Sequence, residues 1–133
     1  MKIVVASDSF KGSLTSQEVA LAVTCGIRAV RPDAVVIALN VADGGEGLVR
    51  AIIDTMGGEL VTASVNDPLG RPIQAQYGIA GTTAIMEMAA ASGLPLLRTE
   101  ERNPWMTSSY GTGEMIMDAI RRGCRDFLIG IGG

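Results

Sequence analysis

Histidine is absent from this 133-residue chain. Its absence removes the commonest general base and every Ser-His or Cys-His nucleophilic pair, so acid-base chemistry falls to Asp, Glu, Lys or Tyr. Only two cysteines occur, Cys25 and Cys124, about a hundred positions apart in helix-like or helix-ending contexts. Neither has a second cysteine or a histidine near it to complete a zinc site, and both read as buried or idle thiols. Aromatic residues are scarce, with one Trp, two Tyr and two Phe against 17 Gly, a balance that points to many tight turns and close backbone approaches. The net charge is −3 and no run of Lys and Arg stands out, so nothing marks a nucleic-acid surface or a basic membrane-binding helix. No apolar run approaches the roughly 18 residues of a spanning helix, and the N-terminus enters a strand pattern at once instead of a signal peptide. The cytosol is the expected compartment. At 13.8 kDa and 47% hydrophobic residues, the chain is the size of one ordinary domain and can bury a core.

Two strand-then-helix units open the chain. Lys2–Ala6 is a β-branched run, and Thr15–Val30 follows with Val19, Ala22, Val23, Gly26, Ile27 and Val30 at helical spacing. After the break at Arg31-Pro32-Asp33, Ala34–Leu39 reads as a buried strand and Leu48–Met56 as a helix. Consecutive βα units predict a parallel sheet with right-handed crossovers. Gly57-Gly58 changes the texture. Leu60–Val65, Ile73–Ile79 and Thr83–Met88 read as an antiparallel meander, and Ala89–Gly93 as a short turn of helix. Pro95–Pro104 reads as an exposed polar loop, and Gly113–Arg122 as a helix with Met115, Ile116, Ala119 and Ile120 inward. Asp126–Gly133 reads as a buried strand. The expected class is α/β: parallel βα units in residues 1–58, then a mixed or antiparallel segment of a second α/β domain in residues 59–133. A glycine pair after a strand normally starts a loop that feeds a helix, so the expectation is a piece of a longer protein; a natural C-terminal strand with a glycine tail is the alternative.

Four segments carry candidate chemistry. In the first, strand residues run into Asp8, Ser9, Lys11, Gly12 and Ser13 before a helix, which brings a carboxylate, a cation and backbone donors to one turn. Lys2 is the only other lysine. The plain alternative is a capped βα turn with an exposed lysine. The second is Ala42-Asp43-Gly44-Gly45-Glu46-Gly47 at the carboxyl end of the second strand, the end where open α/β sheets bind ligands, so both turns open on the same rim. Asp43 is a candidate hard-oxygen contact for Mg²⁺ or an acceptor for a substrate hydroxyl, whereas Glu46 equally suits capping of the following helix. The third is Thr107-Ser108-Ser109-Tyr110-Gly111-Thr112-Gly113-Glu114, a hydroxyl-rich entry to a helix, with an N-cap at Thr112 or Gly113 as its structural alternative. The fourth, Gly130-Ile131-Gly132-Gly133, is weak alone. No Walker A or kinase-type glycine loop is present.

In order and wording these segments resemble the bacterial glycerate kinase family, type I, in its N-terminal portion. The matching stretches are SDSFKGSLTSQEVA from Ser7, ADGGEG from Ala42, NDPLGRPIQAQYG from Asn66, MEMAAASGLPL from Met86, RNPWMTSSYGTGE from Arg102, and IGIGG from Ile129. This chain departs from the family pattern at Ser7, Leu48, Trp105 and Ser108-Ser109, where the family has Pro, Thr, Leu and a threonine-rich run; Leu48 removes one hydroxyl. The resemblance implies a flavodoxin-like domain with a second α/β domain inserted, the site lying between them, in a protein close to three times this length. It also implies phosphorylation of glycerate to 2- or 3-phosphoglycerate by ATP with Mg²⁺, with the remainder of its own chain as partner and oligomeric state open.

Phosphoryl transfer asks for a cation near the transferred phosphate, carboxylates for Mg²⁺, amides for oxygens and an acceptor for the hydroxyl proton. On that scheme Lys11 meets the phosphate charge, and Asp8 and Asp43 take Mg²⁺ or the glycerate hydroxyl, with base and metal ligand unassigned between them. Ser9, Gly12, Ser13, Gly44, Gly45, Ser108, Ser109 and Thr112 contact phosphate or carboxylate oxygens, Glu46 has a supporting role at the substrate, and Arg71 meets the glycerate carboxylate unless it is simply solvated. By themselves the 133 residues are expected to be inactive. The rival readings are a non-catalytic phosphate- or nucleotide-binding module and a kinase of another small hydroxy acid.

Overall fold

A computed structural model describes residues 1–8, 10, 13–40, 44–45 and 47–132. It divides into two compact units, Met1–Asp43 and Gly44–Gly133.

The first unit is β1 (Lys2–Ser7), α1 (Ser16–Val30) and β2 (Val35–Asn40). β1 and β2 pair in parallel from Lys2↔Val35 to Ser7↔Asn40, as the βα pattern predicts. Helix α1 starts on a capping box: the Thr15 hydroxyl accepts from the Glu18 amide at 3.3 Å while the Glu18 carboxylate accepts from the Thr15 amide at 2.8 Å. Val19 and Ala20 are the buried residues of α1, and Val23 and Val30, expected inward, are exposed. Likewise β2 is not the buried strand its composition suggests, because Val35, Ile37 and Leu39 are exposed. The reason is geometric: burial on both faces needs a layer on each, and among the described residues of this unit α1 is the one helix, packed on β1 and β2.

The second unit is α2 (Leu48–Met56), β3 (Glu59–Asn66), β4 (Pro72–Ala80), β5 (Thr83–Glu87), α3 (Ala89–Ser92), α4 (Tyr110–Arg121) and β6 (Asp126–Gly130). The sheet order is β3-β4-β5-β6: the first two pairings are antiparallel and β5 with β6 is parallel, from Thr83↔Asp126 to Glu87↔Gly130. Period-2 alternation sends side chains to opposite faces. Ala63, Val65, Ala75, Tyr77, Ala84 and Met86 face Met115 and Ala119 of α4, and Ile85 faces Val49 and Ile53 of α2. Gly78 lets α2 seat closely, since a Cβ there would lie 2.7 Å from Ile53 Cγ1. Thus α2, grouped with the first two strands at the sequence level, packs here on β4 and β5.

Three local expectations change. Helix α4 begins at Tyr110, with Ser109 as its N-cap, so Gly111 and Thr112 are helical and neither Thr112 nor Gly113 is the cap. Ile120, expected inward, is exposed, and so is Leu128 in β6, an outer strand with β5 as its neighbour. The segment after α3 holds two single turns of 3-10 helix, Leu94–Leu96 and Thr99–Glu101, and buries Leu97 between them. Cys124 is buried and Cys25 exposed. Among the described residues no helix is long and apolar enough to cross a membrane.

Candidate functional site

In the first unit the parallel register sets Ser7 beside Asn40, so the chain leaves β1 and β2 from the same end of the sheet. Asp8 follows directly, exposed, with its carbonyl accepting from the Ser7 hydroxyl at 3.1 Å. A tight turn closes by Phe10 and Leu14, the Ser13 amide donating to Phe10 O at 2.8 Å. Ser9, Lys11, Gly12, Asp43 and Glu46 lie outside the described residues.

In the second unit two glycine motifs meet. The Gly132 amide donates to Gly44 O at 3.2 Å. A Cβ on Gly130 would strike Gly44 O and come within 2.6 Å of Leu48 Cδ2, and one on Gly132 would lie 2.9 Å from Gly45 Cα. Glycine is therefore required where the end of β6 passes the turn before α2. The motif that was weak by itself acquires its meaning from this neighbour. The contact extends further, since the Met88 amide donates to Gly130 O at 2.8 Å and the Thr112 hydroxyl lies 3.5 Å from Met88 O. Thr112 is buried with its hydroxyl 2.7 Å from Ser92 Oγ, away from the exposed Ser108 and Ser109.

Ser109 caps α4, its carbonyl accepting from the Thr112 amide at 3.1 Å, whereas Ser108 meets the turn between β3 and β4. The Ser108 amide donates to Pro68 O at 2.9 Å, and its hydroxyl accepts from the Tyr110 amide at 3.1 Å. The Glu114 carboxylate accepts from both the backbone amide of Asn66, at 2.7 Å, and its side chain, which ties α4 to the end of β3. Arg71 is exposed but not open-handed: it bonds Asp67 through Nε, Glu101 at 2.9 Å and Leu96 O at 3.1 Å. Burial by itself would raise the Asp67 carboxyl, but hydrogen bonds from the Arg71 backbone and side chain and the Leu69 amide outweigh it and hold the group below its ordinary value. Glu101 is lowered by the Arg98 amide and, after burial's opposing effect, by Arg71.

Sequence reasoning passed over Glu87. It ends β5, and its carboxylate accepts from the Val49 amide in the first turn of α2 at 2.9 Å. Gly47, the N-cap of α2, makes no side-chain cap bond, and the first turn holds no acid. Among the described residues no group of three or more His, Cys, Asp or Glu could hold a metal ion.

Comparison with known proteins gives these motifs a common origin. The Haemophilus influenzae glycerate kinase is 50% identical over 100% of this chain and 36% of its own length. The Escherichia coli glycerate 2-kinase is 50% identical over 100% of this chain and 35% of its own. A crystal structure of a glycerate kinase 2 from Salmonella typhimurium LT2 superposes with a TM-score of 0.78 at 47% identity, covering 100% of this chain and 37% of that one. The chain thus spans little more than a third of the length of the relatives it matches. The model of the glycerate kinase family matches residues 3–133, and the chain belongs to that family.

Proposed function

We propose that the gene product containing these residues transfers the terminal phosphoryl group of ATP to a hydroxyl of glycerate, forming phosphoglycerate. The observation that carries this is the in-register parallel pairing of β1 and β2, which starts the Asp8-to-Ser13 turn and the segment leading to Asp43 from one end of one sheet. The Escherichia coli relative is a glycerate 2-kinase, which favours the 2-hydroxyl as acceptor.

Carboxylates are the hard oxygen donors Mg²⁺ prefers, so one of Asp8 and Asp43 would hold it, and bound Mg²⁺ would offset phosphate charge. Lys11 neutralises charge on the transferred group as it develops, and backbone amides of the glycine-rich turns, Gly44 and Gly45 among them, suit phosphate oxygens. Whichever of Asp8 and Asp43 does not hold the metal accepts the proton of the glycerate hydroxyl. With both nearby carboxylates already on Arg71, the NDPLGR turn is better suited to shaping its neighbourhood than to binding a free acid. Because the family site is assembled by more chain than is present here, the 133 residues alone should show no turnover.

Phosphorus NMR tests the reading. Incubated with Mg-ATP and glycerate, the gene product should form ADP and a phosphomonoester whose resonance is a doublet for the 2-phosphate and a triplet for the 3-phosphate. Nucleotide binding without any phosphomonoester would favour a binding module and overturn the kinase.

A further inference from the structure

We propose that Glu87 is a positioning residue of the kinase site, fixing the start of α2, and with it the preceding glycines Gly44 and Gly45, through its hydrogen bond to the Val49 amide. The first amides of a helix have no partner within it, and a side chain at the N-cap normally supplies one. Gly47, at φ +92°, has none to offer, and the first turn of α2 holds no acid. The acceptor comes instead from 38 residues away, Glu87 Oε1 at 2.9 Å from Val49 N. A carboxylate is apt here because it only accepts and because its charge favours the positive end of the helix dipole.

The location is as telling as the bond. Glu87 is the last residue of β5 and pairs in register with Gly130 of β6. Gly132, two residues beyond Gly130, donates its amide to Gly44 at 3.2 Å. Gly44 is thus held by the backbone beyond β6, and Val49, in the first turn of α2, by the Glu87 carboxylate. Glycines have no side chains with which to anchor themselves, so a distant carboxylate that grips the following helix restricts where Gly44 and Gly45 lie. Glu87 touches no reacting atom in this scheme; it acts through α2.

The inference rests on the kinase reading, and the experiment separates the two. In the gene product, Glu87→Ala should lower kcat for glycerate phosphorylation by about ten- to a hundredfold, the usual cost of misplacing a catalytic turn by a fraction of an ångström to an ångström. Glu87→Gln keeps an oxygen at the same place and should restore most of that loss. Hydrogen exchange of the Val49 amide should accelerate in the alanine variant and stay slow in the glutamine variant. If the glutamine variant is as slow as alanine while Val49 stays protected, Glu87 acts by charge on the reaction and the positioning role is overturned. Faster Val49 exchange with undiminished turnover overturns it too. Should the alanine variant not fold, Val49 exchange in the unmodified protein decides, an unprotected amide refuting the cap. A wild-type protein that makes no phosphoglycerate defeats the kinase reading, and Val49 exchange still reports on the cap.

Discussion

The Tyr77 hydroxyl donates to the Asp118 carboxylate at 2.8 Å from a ring with no solvent exposure, joining the middle of β4 to α4. Asp118 also accepts from Arg122 Nε at 2.8 Å. Burial, and then the neighbouring Asp118, raise the Tyr77 phenol well above its ordinary value. Tyr77→Phe leaves the ring packed and removes one hydrogen bond to a charged acceptor, so it should lower unfolding stability by about 1–2 kcal/mol. Since the folded phenol holds its proton more tightly than the unfolded one, Tyr77 contributes stability that is full below about pH 10 and is lost as pH rises above it. Urea midpoints at neutral and alkaline pH should therefore fall more steeply for wild type than for Tyr77→Phe.

Asp67 should contribute on the acid side. Its carboxyl is lowered in the folded state, so its contribution is present above the unfolded value of about 4 and is lost as pH falls through the lower folded one. Asp67→Asn should be less stable than wild type at neutral pH and should lose less on acidification between about pH 5 and 2. Thermal melts across that range measure both slopes, and parallel curves would refute the assignment.

Gly111 lies inside α4, where alanine ordinarily stabilises by about 1 kcal/mol. Here a Cβ would strike the carbonyl oxygen of Asn66 and sit 3.3 Å from Ala91 Cβ. Backbone does not yield as a flexible side chain does, so Gly111→Ala should instead destabilise by about 1–3 kcal/mol. A denaturant midpoint shifted downwards is the expected result. The nearby Gly113, with open space around its Cβ position, should show the ordinary gain when changed to alanine.

Lys11→Ala and Asp43→Asn should each lower turnover by about a hundredfold or more if they neutralise the transferred phosphate and bind Mg²⁺ or glycerate as proposed. Steady-state assay of the gene product against both substrates checks this, with circular dichroism confirming that each variant is folded. Near wild-type rates in either would remove that residue from the mechanism.

Much of the secondary structure was legible because local rules govern it. Leu48–Met56 was delimited by glycines at both ends, and the β3-β4-β5 meander by turns too short to cross over. The start of α4 was missed because Gly111 looks like a helix breaker locally, whereas its lack of a side chain answers to Asn66 at the end of β3. Helical spacing likewise marked Val23 and Val30 as apolar, but what covers a face depends on which elements lie against it.

The order of the residues by itself determined which motifs exist, their place at strand-to-helix turns and the family they share, because composition, periodicity and turn chemistry are written within a few positions of each residue. Only the folded chain decided which motifs meet. It joined Gly44 to Gly132, buried Thr112 against Ser92, closed Arg71 on Asp67 and Glu101, and supplied α2 with a cap from Glu87. Those partners are up to 88 positions apart for the glycine pair, a separation at which no local pattern specifies contact, and the pairing of β5 with β6 brings them together.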